Sequence, residues 1–274
     1  MTTRAARFRA LHSDTQPLVL VNAWDAASAR VIAAAGAPAI ATTSAGVAWT
    51  LGAPDGDALS RAAALEHLAR IVHAVPADLP VTADIESGFG ATPADVAVTI
   101  RGVLEAGAVG INLEDTERGE TAGLRAVEDQ QARIAAARGA ADDAGVELYI
   151  NARVDTYFRG APEETIARAE AYLAAGATGI FVPGVADPEA IAALAKAIPA
   201  PLNVLAGPGS PPVAEFAALG VARVSLGSSV AEAAYALARR AAREAYSTGT
   251  YGALTDSYDF GELNTLMSGP TATG

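Results

Sequence analysis

The sequence predicts an α/β fold, a (β/α)8 barrel of the TIM type, as a single domain over residues 1–274. Eight short apolar runs alternate with helical patterns, which is the order of a parallel sheet covered by helices. One helix-end motif recurs along the chain, and the length suits a barrel. A doubly wound sheet is the alternative, but the early chain lacks the G-x-G-x-x-G turn typical of many such folds.

The recurring motif is a glycine that ends a helix and is followed at once by a strand. Glycine is the favoured residue just past a helix C-terminus because it adopts a left-handed backbone conformation at little cost. The motif occurs at four places: Ala35–Ile40, Ala106–Ile111, Ala175–Ile180 and, more loosely, Leu219–Val224.

The predicted strands are short and apolar throughout, as expected when both faces of a sheet are covered. They fall near 18–22, 38–42, 80–84, 109–113, 147–152, 178–183, 201–205 and 222–226. Helical patterns include 61–75, 93–106, 127–143 and 162–175. The barrel core is expected over about 17–245. A weakly helical tail, about 246–274, is expected to cap the barrel or reach a neighbouring subunit.

The composition and charge of the chain exclude or disfavour several classes of function. The net charge of −12 disfavours binding to nucleic acid. The chain has no apolar run of about 18 residues and no signal-like N-terminus, so we expect a cytoplasmic protein without a membrane partner. It has no cysteine, which excludes disulfides, thiolate metal sites and cysteine nucleophiles.

The basic side chains that often carry catalysis are also scarce. The single lysine, Lys196, lies in a predicted outer helix, which disfavours an imine-forming enzyme. His12, His67 and His73 fall in helical patterns and are expected to be structural. Acid–base chemistry is therefore left to carboxylates, tyrosines, hydroxyl groups or water.

The most informative motif is Asp84-Ile85-Glu86-Ser87-Gly88-Phe89-Gly90, which follows the third predicted strand. Two carboxylates two residues apart on a strand point to the same side, and their repulsion favours a cation between them. Mg²⁺ prefers such oxygen ligands. Solvated acids at a strand end are the structural alternative.

Asp25, which follows the first predicted strand, is interpreted as the residue that caps the next helix.

Barrel chemistry lies at the carboxyl ends of the strands. Glu114 and Asp115 end the fourth strand and Arg153 ends the fifth, so three carboxylates are expected to face one arginine. This arrangement suits an anionic substrate bound together with a metal ion.

The chain resembles the isocitrate lyase/phosphoenolpyruvate mutase superfamily from about Asn22 to about Ser228. The resemblance is carried by five elements in order: Thr43-Ser44-Ala45, Leu51-Gly52-Ala53-Pro54-Asp55, the Asp84–Gly90 motif, Leu113-Glu114-Asp115 and Asn151-Ala152-Arg153-Val154-Asp155. It implies a Mg²⁺-dependent barrel acting on small 2-oxo acids or di- and tricarboxylates. It also implies a homotetramer, a dimer of dimers, that exchanges a C-terminal helix between subunits.

The resemblance also implies site residues. The expected metal ligands, for Mg²⁺ or alternatively Mn²⁺, are Asp84, Glu86 and Glu114, with the longer Glu86 favouring direct contact. The expected catalytic residues are Asp55, Arg153 and Glu114. The expected substrate-binding residues are Trp24, Thr43, Ser44, Ala45, Arg153 and Asn203.

The chain departs from the family pattern after the fourth strand. Residues 115–125 contain no cysteine, lysine or histidine, and Gly184 stands where related lyases have a glutamate. The asparagine and histidine of the mutase branch are also missing. Proton transfer is left to Tyr157, Arg118 or Asp55, unranked.

The expected reaction is cleavage of a C–C bond through a metal-stabilised 2-oxo acid enolate. P–C bond chemistry is one alternative, with the glycine turns at 207–210 and 227–229 as phosphate sites. A non-catalytic 2-oxo acid binding protein is another.

Overall fold

The computed structural model of the protein describes residues 3–13, 16–117 and 122–268. Nine parallel strand segments form one sheet: β1 Leu18–Leu20, β2 Asn22–Ala23, β3 Ile40–Thr42, β4 Val81–Asp84, β5 Gly110–Glu114, β8 Tyr149–Arg153, β9 Gly179–Val182, β10 Leu202–Leu205 and β11 Arg223–Ser225. Two further strands, β6 Thr116–Glu117 and β7 Gly123–Leu124, pair with each other. The order in the large sheet is β1-β11-β10-β9-β8-β5-β4-β3-β2. The predicted barrel is confirmed, and every predicted strand lies within two residues of an observed one.

The first predicted strand is the one that differs, because it is split at Val21 into two segments. β1 pairs with β11, whereas β2 pairs with β3, so the split strand lies between the two ends of the sheet. The Asn22 side chain joins them: its Nδ2 donates to the Thr42 carbonyl at 2.8 Å, and its Oδ1 accepts N–H bonds from Leu226 and Gly227. A buried amide thus ties the two edges together.

The helices surround the sheet and begin and end close to the predicted positions. They are α1 Arg4–Ala10, α2 Ala26–Ala34, α3 Ser44–Thr50, α4 Arg61–Ala74, α5 Pro93–Ala106, α6 Val127–Asp143, α7 Thr165–Ala174, α8 Pro188–Ala197, α9 Val213–Ala218, α10 Ser229–Ser247 and α11 Phe260–Ser268. The prediction for Asp25 is confirmed, since it forms a capping box with Ser28 at the start of α2. Gly107 ends α5 at φ +93°. Lys196 is exposed on α8, as expected.

The amino-terminal helix and the residues just after it close the end of the barrel opposite the carboxyl ends of the strands. We call the side chains of Phe8 and His12 the plug. Phe8 is fully buried, and its ring meets the ring of Tyr149 edge-on at 5.5 Å. His12 stacks on the Tyr149 ring at 4.0 Å, and burial lowers the pKa of His12 to about 3. His67 is also structural, because its Nε2 lies 2.8 Å from the Trp24 carbonyl oxygen.

Above this plug, the barrel interior holds a buried polar cluster. Asn151 Nδ2 donates to Asn112 Oδ1 at 2.9 Å, and Ser225 Oγ donates to Asn203 Oδ1 at 3.0 Å. Arg223 donates to Asn112 Oδ1 at 3.3 Å. Burial lowers the pKa of Arg223 to about 10, and this arginine forms no ion pair with the residues that the structure describes.

The carboxyl-terminal segment lies outside the barrel. Helix α10 has one buried residue, Ala231. Helix α11 packs against α2 of the same chain, where Arg30 donates to the Leu266 carbonyl at 3.1 Å. Exchange of this segment between subunits stays a prediction. Among the described helices, none has the length and hydropathy required to cross a bilayer.

Candidate active site

The acidic residues at the strand ends meet at the carboxyl-terminal mouth of the barrel. Asp84 ends β4, Glu114 ends β5 and Arg153 ends β8. Parallel register places Glu114 directly beside Arg153 and places Asp84 beside Asn112. The structure therefore brings together the residues that lie 30 to 70 positions apart in the sequence.

Arg153 is the cation around which these acids are arranged. Its Nη1 lies 2.8 Å from Glu114 Oε2, and its Nε lies 2.7 Å from Asp155 Oδ1. Burial alone would lower the pKa of Arg153, but the charges of Glu114, Asp155 and Asp84 raise it. The third nitrogen, Nη2, forms no hydrogen bond with the described residues, so its N–H donors remain available to a further acceptor.

The loop after β4 turns Glu86 back into the protein. Glu86 adopts φ +51°, and its backbone oxygen accepts the Glu114 N–H bond at 2.9 Å. Its carboxylate accepts N–H bonds from Gly56 at 3.0 Å and from Asp57. The side chain of Glu86 therefore joins the β4 loop to the loop that carries Asp57.

The carbonyl groups of the same loop are held from below by Arg133. Its guanidinium donates to the Gly90 oxygen at 3.0 Å and to the Ala91 oxygen, while its Nε lies 3.1 Å from Asp129. Arg133 is almost completely buried. This arrangement fixes the backbone that follows the paired carboxylates.

Both carboxylates of the motif are harder to ionise than in water. Burial raises the pKa of Glu86 to about 7; the Asp57 N–H bond opposes the shift and the Asp57 and Asp84 charges add to it. Burial also raises the pKa of Asp84, although the Arg153 charge and the Glu86 N–H bond act in the opposite direction. The Glu86 N–H group donates to Asp84 Oδ1 at 3.1 Å.

The arrangement limits how a divalent ion could be held. Among the described residues, no three acidic, histidine or cysteine side chains converge as direct ligands of one ion. Glu86 is engaged by backbone N–H groups and Glu114 by Arg153, whereas Asp84 is partly exposed at the mouth. This donor set fits an ion that keeps most of its coordination shell from water and substrate, as Mg²⁺ usually does.

The predicted substrate-binding residues fall into two groups. Thr43, Ser44 and Ala45 form the start of α3, and the Ser44 N–H group lowers the pKa of Asp84, so this turn faces the acids. Trp24 lies close to the same turn, since a Cβ on Gly46 would meet Trp24 Cβ at 2.6 Å.

Asn203 is not brought to the mouth with the others. Its amide lies in the interior cluster with Asn151 and Ser225.

The candidates for proton transfer also separate. Asp55 is exposed, and its charge helps to raise the pKa values of Asp84 and Glu86. Tyr157 is half-buried, and burial raises its pKa, which keeps the phenol protonated at neutral pH. Arg118 lies outside the described residues.

The loop after β5 forms a short antiparallel hairpin on one side of the mouth. Its strands are β6 Thr116–Glu117 and β7 Gly123–Leu124. Asp115, at its base, is completely buried and accepts hydrogen bonds from the Tyr172 hydroxyl and the Asp155 N–H group. Asp115 is thus a structural acid.

Sequence reasoning placed Asp155 in the motif that ends the fifth strand but gave it no role, and it did not single out Phe158. Asp155 is the second carboxylate on Arg153. The Arg153 Cζ atom lies 6.0 Å from the centroid of the Phe158 ring. No sequence signal identified Phe158.

Comparison with known proteins is consistent with this geometry. The family model for phosphoenolpyruvate phosphomutase matches residues 8–246. An uncharacterized protein of Mycobacterium tuberculosis H37Rv is 38% identical over 239 residues, covering 86% of this chain and 87% of that protein. The 2-methylisocitrate lyase of Bacillus subtilis is 31% identical over 204 residues, covering 72% of this chain and 65% of that protein.

The solved structures agree. A protein of Burkholderia cenocepacia J2315, provisionally assigned as a lyase or mutase, superposes with a TM-score of 0.90 at 42% identity, covering 97% of this chain and 96% of that one. Relatives with named activities include this 2-methylisocitrate lyase and the oxaloacetate decarboxylase of Paraburkholderia xenovorans, which is 30% identical over 217 residues. The chain belongs to the phosphoenolpyruvate phosphomutase family, within the isocitrate lyase/phosphoenolpyruvate mutase superfamily.

Proposed function

We propose that this protein is a Mg²⁺-dependent lyase that cleaves a C–C bond in a small carboxylic acid and forms a 2-oxo acid as one product. The observation that carries this proposal is the arrangement of Arg153, held by Glu114 and Asp155 beside the partly exposed Asp84. A guanidinium fixed on two sides presents its remaining N–H donors in a defined direction. A substrate carboxylate accepts from it with little loss of side-chain entropy.

The charge at the mouth supports a cationic cofactor. Asp84 and Glu86 both have raised pKa values, so their negative charge is only partly compensated by protein groups. Asp84 would hold the ion, with water and the substrate completing its shell. When bound, Mg²⁺ supplies Lewis-acid polarisation of the substrate carbonyl.

The chain's own groups perform the remaining steps. Arg153 orients the substrate carboxylate, and the Ala45 N–H group at the start of α3 donates to oxygen as negative charge develops there, while the Ser44 N–H group faces Asp84. Tyr157, whose phenol stays protonated, is our choice for the group that returns a proton to the carbon released by cleavage.

Phosphoryl chemistry is less well supported. The Gly207 N–H group donates to Ser210 Oγ at 3.0 Å, and the Gly227 N–H group donates to Asn22 Oδ1 at 2.9 Å. Both glycine turns therefore use N–H donors within the protein rather than presenting them to a phosphate.

The test is a substrate panel assayed with Mg²⁺: oxaloacetate, 2-methylisocitrate, a dimethylmalate and phosphonopyruvate. We expect C–C cleavage of at least one acid, and a loss of about 100-fold or more in kcat/KM for Asp84→Asn, which preserves the shape of the side chain. Phosphate release alone would favour P–C chemistry. Tight Mg²⁺-dependent binding without turnover would indicate a binding protein.

A further inference from the structure

An exposed aromatic ring lies beside Arg153, the residue to which the proposed function assigns the substrate carboxylate. Phe158 follows the short 3₁₀ turn Asp155–Tyr157 and leaves 52% of its surface exposed. Its ring centroid is 6.0 Å from the guanidinium carbon of Arg153. Because core packing does not explain so large an exposed apolar surface, the ring and the guanidinium are best treated as one recognition surface.

Gly184 makes room for this ring. It follows β9 at φ +85°, and a Cβ at this position would lie 2.7 Å from both Phe158 Cδ1 and Phe158 Cε1. Any side chain at position 184 would displace the Phe158 ring. This displacement is separate from the backbone strain that a positive φ would cause in a residue other than glycine. The side chains at this point of the wall therefore present carbon only, with no side-chain hydrogen-bond donor or acceptor from either residue.

The charges beside this wall disfavour another anion. Arg153 already pairs with Glu114 and Asp155, and its remaining donors are the ones that the proposed function assigns to the substrate carboxylate. A second carboxylate placed on the Phe158 ring would meet carbon on one side. On the other side it would share a guanidinium that already has two carboxylate partners. Desolvating an anion without a partner is costly, whereas an alkyl group gains contact area there.

We infer that Phe158, seated by Gly184, is a specificity-determining residue. It selects dicarboxylates that carry an uncharged alkyl group on the carbon next to the carboxylate held by Arg153, and it rejects tricarboxylates. This inference rests on the proposed function. It also separates this protein from its relative named 2-methylisocitrate lyase, whose named substrate is a tricarboxylate.

Two ligands test the inference as a matched pair. 3-Ethylmalate and isocitrate are both malate with a two-carbon group on C3, and they differ in that isocitrate ends this group in a carboxylate. Dissociation constants are measured by calorimetry with Mg²⁺, and cleavage of each acid is measured in parallel. For the wild type we expect 3-ethylmalate to bind at least about 10-fold more tightly than isocitrate.

The variants connect that preference to the ring. Phe158→Ala and Gly184→Ala should each reduce the preference about fivefold or more. Gly36→Ala is the matched control, because Gly36 has φ +92° and no atom within 4 Å of its Cβ position. It should leave the preference unchanged. Phe158 is half-exposed, so its removal should not prevent folding, which circular dichroism verifies.

The outcomes separate the two proposals. If the wild type binds isocitrate as tightly as 3-ethylmalate, or if both ring variants keep the wild-type ratio, Phe158 does not determine specificity although the lyase assignment stands. If the wild type neither binds nor cleaves any acid of either panel with Mg²⁺, the proposed function fails and this inference fails with it.

Discussion

The raised pKa of Glu86 leads to a measurable pH dependence of stability. The carboxyl has a pKa of about 7 in the folded protein against an ordinary value of 4.5. Between these values the folded chain holds a proton that the unfolded chain releases, so the free energy of unfolding falls as pH rises from about 4.5 to about 7. At 1.36 kcal/mol per pKa unit, the loss is about 3 kcal/mol.

Glu86→Gln removes this titration and keeps the shape of the side chain. The amide oxygen can still accept the N–H bonds of Gly56 and Asp57. We therefore expect the variant to match the wild type near pH 4.5. By pH 7.5 it should exceed the wild-type free energy of unfolding by about 3 kcal/mol.

The assay is urea denaturation at several pH values, with EDTA present and protein concentration fixed. Glu105→Gln, which neutralises an exposed glutamate of α5, is the control for the loss of a surface carboxylate. A difference between Glu86→Gln and the wild type that changes by less than about 0.5 kcal/mol across this range would refute the argument that burial holds a proton on Glu86.

Other predictions concern the arginines, the plug and the assembly. Arg223 and Arg133 are equally buried, but only Arg133 has a carboxylate partner and several carbonyl acceptors. In urea denaturation, Arg223→Met should leave the free energy of unfolding unchanged or raise it, whereas Arg133→Met should lower it by about 3 kcal/mol. Equal losses of unfolding free energy in the two variants would contradict this reasoning. Arg153→Lys should lower kcat/KM by about 100-fold, mainly through KM, because lysine cannot form a two-point contact; an unchanged KM would contradict it. Phe8→Ala should destabilise by about 3–5 kcal/mol, and a loss below about 1 kcal/mol would show that the plug is not part of the core. Light scattering should give the mass of four chains for the full protein and a smaller assembly after residues 248–268 are removed.

Much of the fold could be predicted because each element has a local cause. The helix that ends at Gly107 and the helix capped by Asp25 both follow rules that involve only neighbouring residues. The split of the first strand at Val21 could not be foreseen. It depends on Asn22 bonding to two distant parts of the chain, which no local pattern encodes.

Some contacts of the candidate site could likewise be predicted from the sequence, and others could not. Glu114 and Arg153 could be placed together because strand ends of a parallel sheet meet at one edge. The direction in which Glu86 points was not foreseen, since it depends on a loop 30 residues earlier. Nor was the Phe158 ring, whose position depends on the missing side chain of Gly184.

The seam at Asn22 has a consequence for how the chain is made. Its partners on the far edge, Leu226 and Gly227, lie 204 and 205 residues further along. A ribosome must therefore add more than 200 residues after Asn22 before the first strand can meet its last neighbour. Until then the nascent sheet has two open edges that can pair with other chains. Protection by chaperones will therefore matter most during that interval.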